Sequence, residues 1–178
     1  MLIYDTKADE MAVHAGTKGE IKLYLTCLGD RLFGDPGYFP AGDKFTLQPL
    51  VEKGQESLLC EDIDGLEAIR LVELRQFWGG AEKEMEIRKA SDLFSALGRR
   101  GAALGPGGRL VAAAFKLKFA GFPKERSVLI RPPANARYER NEDSEIVELW
   151  LQRRGFTLPP AVSVTNDEEA PSAVLEVA

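Results

Sequence analysis

Alternating hydrophobic and polar positions predict strands in the first half of the chain. Residues 20–28 (Glu-Ile-Lys-Leu-Tyr-Leu-Thr-Cys-Leu) alternate with a period of two, which is typical of a half-buried strand. Shorter strands are predicted over residues 44–50 and 57–62. Residues 66–78 fit either a long strand or a helix. The Gly-Gly pair that follows them, with strand-like residues after it, favours a β-hairpin.

The second half of the chain contains two segments with the spacing of amphipathic helices. These are residues 92–100 and 145–154, each preceded by capping residues and each ended by a glycine. Between them, residues 110–119 and 127–130 have the composition of two paired strands. The second half therefore predicts a helix-strand-strand-helix unit.

This order of elements predicts an α+β fold. We expect a mostly antiparallel sheet from the N-terminal half, followed by the helix-strand-strand-helix unit packed on it. The predicted segments are an acidic β-rich subdomain over residues 1–90, a basic αββα subdomain over 91–158 and a flexible acidic tail over 159–178. A length of 178 residues suits one domain, and we expect the first two segments to form one compact domain.

Composition indicates an ordinary globular protein, with 44% hydrophobic and 29% charged residues. No apolar run approaches the ~20 residues of a membrane helix, and the N-terminal residues do not have the pattern of a signal peptide. Cys27 and Cys60 stand apart without a Cys-x-x-Cys spacing, which is typical of buried thiols. We therefore expect a cytoplasmic protein without a membrane partner.

The charged residues are sharply segregated along the chain. Residues 1–87 contain 9 basic and 17 acidic residues, residues 88–140 contain 12 and 3, and residues 141–178 contain 2 and 8. A like-charged block of this size repels itself unless something neutralises it. The basic middle of the chain therefore predicts either an anionic partner or neutralisation by the acidic segments of the same molecule.

Two sets of residues are candidate binding residues. In the strand predicted over 110–119, lysines share one parity and phenylalanines the other, so that one strand face is basic and the other suits a core. The basic set is Arg99, Arg100, Lys116, Lys118, Arg126, Arg131, Arg137 and Arg140. The aromatic set comes from the Gly/Pro/Asp-rich loop predicted over 29–43 and from the Gly-Gly break, and consists of Tyr38, Phe39 and Trp78.

No pattern in the sequence indicates catalysis or a cofactor. The chain contains one histidine, His14. We therefore do not expect histidine-based acid–base catalysis or a transition-metal site. The glycine-rich residues 105–108 do not have the Lys-Ser/Thr of a phosphate-binding loop. Glu61, Asp62 and Asp64 resemble the carboxylate cluster of a metal-dependent hydrolase, and they support only the weakest of the functional alternatives.

These observations favour a non-enzymatic binding or adaptor protein, a subunit of a larger complex that recognises an acidic partner surface through its basic middle segment. The first alternative is a nucleic-acid-binding protein that uses residues 88–140, because Phe115, Phe119, Phe122 and Tyr138 interleave with the basic residues. A metal-dependent hydrolase is the second alternative. No cofactor or metal is expected, and self-association into a homo-oligomer stays open.

Overall fold

The computed structural model describes residues 2–6, 10–13, 15–39, 43–104, 107–139 and 143–159. Their strands are β1 (Leu2–Asp5), β2 (Glu10–Val13), β3 (Leu66–Gly79), β4 (Glu84–Lys89), β5 (Arg109–Phe119), β6 (Arg126–Arg131) and β7 (Asn135–Arg137). Their helices are α1 (Lys18–Phe33), α2 (Gln48–Glu52), α3 (Leu93–Arg99) and α4 (Ser144–Arg154), with a 3₁₀ turn over Gly54–Leu58.

The larger sheet has five strands in the order β4-β3-β5-β6-β7, and each neighbouring pair is antiparallel. Strands β1 and β2 pair with each other in a separate two-stranded sheet. Helices α2, α3 and α4 contribute buried side chains to the core beside the larger sheet. The predicted α+β class with an antiparallel sheet is therefore confirmed, although most of the sheet is built from residues after position 66.

Residues 20–28 are helical, so the predicted strand there is wrong. They belong to α1, which begins with a capping box in which the Thr17 side chain accepts from the Glu20 N–H at 3.2 Å and the Glu20 carboxylate accepts from the Thr17 N–H at 2.9 Å. Gly34, in the left-handed conformation at φ 71°, ends the helix. The first five residues of the predicted loop over 29–43 consequently lie in this helix.

The two short strands predicted before residue 66 are also wrong. Residues 44–50 contain only one isolated bridge, from Phe45 to Thr157, before α2 begins. In the segment 57–62, the first two residues end the 3₁₀ turn and the other four contain no strand. Pro at the second position of α2 has no N–H to donate and suits the start of a helix. This local signal outweighs the apolar run that suggested a strand.

The ambiguous segment 66–78 is a strand, and the predicted hairpin with the residues after Gly79-Gly80 is confirmed. The predicted helices and later strands are confirmed within one or two residues. Asp92 caps α3, with its carboxylate accepting from the Ser95 N–H at 3.1 Å, and left-handed Gly155 ends α4. Strand β7, which forms the far edge of the sheet, is an element that the sequence pattern did not predict.

The main core is one hydrophobic cluster that draws buried side chains from positions between Phe45 and Phe156. Trp150 of α4 lies at its centre, with ring-centroid distances of 5.2 Å to both Phe115 and Phe156. The cluster joins residues from both sides of position 90. Among the described helices, none combines the length and the apolar character needed to cross a membrane.

Candidate binding face

The two faces of the five-stranded sheet differ in character. Phe115, Leu117 and Phe119 of β5 are completely buried and point toward the helices. Successive side chains of a strand point to opposite faces, so Lys116 and Lys118 lie on the other face, where both are half-buried. The strand therefore separates basic and aromatic residues as its sequence predicted.

The register of the strands extends this basic surface across the sheet. Residues that are directly paired point to the same face, and Lys116 is paired with Arg70 of β3 and with Ser127 of β6. The strand register, including its shifts between β3 and β5, places cations from each of the five strands on this surface. We call it the cationic face, and its basic residues are Arg70, Arg75, Lys89, Arg109, Lys116, Lys118, Arg131 and Arg137.

A β-bulge explains why the basic residues of β3 did not stand out in the sequence. Leu71 is paired with Phe115 but Glu73 with Ala114, so Val72 is an extra residue in the strand. The extra residue allows both Leu71 and Leu74 to face the core, where they are 0% and 1% exposed. A strict period of two would have placed them on opposite faces. The bulge thus brings Arg70 and Arg75 to the same surface.

One carboxylate lies among these cations. Glu73 binds Arg75 at 2.6 Å (Nε to Oε1) and Lys89 at 3.0 Å (Nζ to Oε2). The hydrogen bond from Arg75, reinforced by the one from Lys89, lowers the pKa of the Glu73 carboxyl below its ordinary value. The charges of Arg75 and Lys89 are therefore partly compensated within the protein.

On the same face, an unfavourable pair of like charges lies between β3 and β5. Arg70 lies directly opposite Lys116 in the register of β3 and β5, an arrangement that weakens a sheet. Arg70 pairs with Glu125 and donates to the Ser91 carbonyl at 3.3 Å. Lys116 donates only to the neutral Ser127 hydroxyl at 2.7 Å, so its positive charge has no carboxylate partner among the described residues.

Of the basic residues predicted from the sequence, the structure brings four together. These are Lys116, Lys118, Arg131 and Arg137, which all lie on the cationic face and make no ion pair with a described residue. Lys118 donates to the Phe122 carbonyl, and Arg131 and Arg137 are exposed. The other four members, Arg70, Arg75, Lys89 and Arg109, were not identified from the sequence. Three of them lie in the hairpin of β3 and β4, whose place in the same sheet as β5 the sequence pattern did not show.

Arg126 lies on the opposite side of the sheet. It is paired with core-facing Leu117, and its guanidinium binds the Asp143 carboxylate at 2.5 Å. The Phe119 and Phe122 rings each lie 5.3 Å from its central carbon. This cation is neutralised inside the molecule and joins β6 to the start of α4, so it is separated from the other predicted binding residues.

The remaining basic candidates do not belong to the cationic face either. Arg99 ends α3 and Arg100 follows it, so both belong to the helix layer on the core side of the sheet, and both are exposed. Arg140 lies outside the described residues. The comparable pair at the end of α4 has a structural role, because Arg154 donates to the Leu59 carbonyl at 2.8 Å and binds Asp62.

The three aromatic candidates are not brought to one surface by any contact in the described structure. Tyr38 stacks on Phe33, with ring centroids 3.8 Å apart, and Phe39 is 7% exposed within the same aromatic cluster. Trp78 is 42% exposed near the end of β3, where its indole N–H donates to Glu86 at 3.3 Å. The loop aromatics thus pack on α1 and β1, with Tyr4 as a further neighbour.

The predicted carboxylate cluster is in part already bound by cations. Asp62 binds Arg154, and it also binds Arg153 at 3.2 Å. Within the described ranges, no group of three or more His, Cys, Asp or Glu residues is placed to hold a metal ion. Cys60 is buried, and burial raises the pKa of its thiol above the ordinary value, which disfavours the reactive thiolate form.

Comparisons of this chain with family models, with curated proteins and with solved structures give no match. The functional assignment of the cationic face therefore depends on its own geometry and charge.

Proposed function

We propose that the protein is a non-enzymatic binding protein, a subunit or adaptor that recognises an acidic surface of a partner protein through the cationic face. The observation that carries the proposal is the direct cross-strand pairing of Arg70 and Lys116. Like charges at opposed positions cost stability in the free protein. Arg70 is paired with Glu125, and an acidic partner would relieve the remaining cost by supplying Lys116 with the carboxylate that the described residues do not supply.

The composition of the cationic face favours a protein over a nucleic acid. Ala114 and Leu129, which are both half-buried, lie between the basic residues by the same strand register, and they provide apolar contact area flanked by charge. Two of the aromatic residues on which single-stranded bases could have stacked, Phe115 and Phe119, are 0% exposed in the core. The formal net charge of −5 also opposes a polyanion outside this face.

Charge reversal tests the proposal with a matched control. The variant K116E/K118E changes two cations of the cationic face, and R99E/R100E makes the same change of charge in the helix layer. Immobilised wild-type protein should retain a stoichiometric protein partner from nuclease-treated native lysate at low salt. The first variant should lose that partner, and the second should keep it.

A reconstituted assay then separates a protein partner from a nucleic acid. The identified partner, duplex DNA and single-stranded RNA are each titrated against the wild type and both variants. Affinity for the partner should fall by about tenfold or more in K116E/K118E and should decrease with rising salt. Equal binding by the wild type and K116E/K118E contradicts the proposed face. Salt-dependent binding of nucleic acid without a protein partner supports the alternative function.

A further inference from the structure

Strand β4 forms one edge of the five-stranded sheet, and no other strand of the described residues pairs with its outer side. Directly after β4, Ala90 donates its N–H to the Val72 carbonyl of β3 at 3.0 Å. This bond determines which residues of β4 form hydrogen bonds with β3. Backbone groups of an antiparallel strand alternate between its two sides. In the regular part of the ladder, Glu86 and Arg88 therefore bond to β3, while Met85, Ile87 and Lys89 direct their N–H and C=O groups outward.

The side chains of this edge are also unusual for an exposed strand. Met85 and Ile87 are 52% and 50% exposed, whereas edge strands generally avoid apolar surface that can recruit another strand. On the other face of β4, Glu86 and Arg88 bind each other at 2.7 Å. The edge thus combines outward hydrogen-bonding groups, apolar side chains and two opposite charges spaced two residues apart.

A second copy of the chain can meet this edge in only a few antiparallel registers. The outward backbone groups require Met85, Ile87 and Lys89 to pair with one another. Pairing Met85 with Ile87 of the second copy places Glu86 opposite Glu86. Pairing Ile87 with Lys89 places Arg88 opposite Arg88. Pairing Ile87 with Ile87 instead places Glu86 opposite Arg88 twice, without opposing like charges within β4.

We propose that two copies of the protein form a symmetric dimer by antiparallel pairing of their β4 strands, with Ile87 on the twofold axis. A twofold interface requires a surface that is complementary to itself, and this register meets that condition in backbone bonds, charge and apolar contact. Pairing would join the two sheets edge to edge and bring their cationic faces side by side. The inference does not depend on the proposed recognition of an acidic partner.

Charge-reversal variants test the dimer without any other molecule present. In E86R, arginine at position 86 faces Arg88 of the second copy, and in R88E, Glu86 faces glutamate at position 88. Two attractive pairs become repulsive in each case, so self-association should weaken by about tenfold or more. The double variant E86R/R88E exchanges the charges and should regain wild-type association. Sedimentation equilibrium over a range of protein concentrations measures all four proteins.

A mixture of the two single variants separates pairing from effects on folding. E86R carries only positive charge at these positions and R88E only negative charge, so the mixture should form a heterodimer although neither protein associates alone. Far-ultraviolet circular dichroism checks that each variant is folded. A wild-type protein that stays monomeric at every concentration overturns the dimer. Single variants that associate as tightly as the wild type, or a mixture that stays monomeric, overturn the proposed pairing.

Discussion

Arg126 shows how a single residue of the basic segment serves the fold instead of a partner. Its side chain and that of Asp143 are 20% and 14% exposed, and among the described residues its Nη1 atom has no hydrogen-bond partner. A guanidinium in this position depends on the one carboxylate that it binds. Removing the carboxylate leaves an arginine that is largely withdrawn from water and has lost its compensating charge.

We therefore expect Asp143→Asn to lower the free energy of unfolding by about 2 kcal/mol. The Asp143 side chain makes no capping hydrogen bond to α4, so the loss should not come from removal of a helix cap. Glu125→Gln is the matched control, because it removes the partner of Arg70, whose side chain is 38% exposed, and should cost less than about 1 kcal/mol. Urea denaturation measures both variants, and equal losses would contradict the structural role of Arg126.

At the scale of the element, α1 shows what the sequence could and could not predict. Its apolar residues also fit a helix, because Ile21, Leu25 and Leu28 recur with helical spacing. The capping box of Thr17 and Glu20 was the local signal for a helix start. The alternation of apolar and polar residues over 20–28 was misleading because it includes Leu23. In the helix this side chain is 60% exposed and does not lie on the buried face.

Two leucines of α1 distinguish the helix from the predicted strand. In a strand, Leu23 and Leu25 would share a face and their truncation would cost similar amounts. In the helix, Leu25 is 9% exposed and Leu23 is not buried, so Leu25→Ala should weaken amide-exchange protection of residues 18–33 much more than Leu23→Ala. A local loss of about 2 kcal/mol or more is expected for the buried site and under about 0.5 kcal/mol for the exposed site. Equal effects would contradict the helix.

Other elements were predictable because their local signals agree with their tertiary surroundings. Helix α4 has a buried stripe of Val147, Trp150 and Leu151 and a glycine stop, and β5 alternates between core and surface over Phe115 to Phe119. The cationic face was only half predictable. Lys116 and Lys118 follow from charge and strand parity, and Arg131 and Arg137 from charge. Arg70, Arg75 and Arg109 depend on register shifts between β3 and β5, which one sequence does not specify.

At the scale of the whole molecule, charge is divided between compensated and uncompensated regions. Asp62 with Arg153 and Arg154, and Asp143 with Arg126, neutralise basic residues on the core side of the sheet. The cationic face retains Lys116, Lys118, Arg131 and Arg137 without described carboxylate partners. Neutralised basic residues on the core side and uncompensated basic residues on the cationic face therefore coexist on opposite sides of one sheet. A surface of this kind should be less stable than its neutral equivalent, because it contains repulsion that folding does not remove.

Lys116→Gln should consequently stabilise the free protein, by about 0.5 kcal/mol at low salt, because it removes the charge opposite Arg70. The gain should shrink as salt rises, since the screening length falls from about 30 Å at 0.01 M to about 3 Å at 1 M. Lys53→Gln, at an exposed position beside α2, controls for the lower positive charge and should change stability little. Urea denaturation at both salt concentrations gives the comparison. If Lys116 were instead neutralised within the fold, its substitution would lower the free energy of unfolding. The cationic face would then contain no repulsion that an acidic partner could relieve.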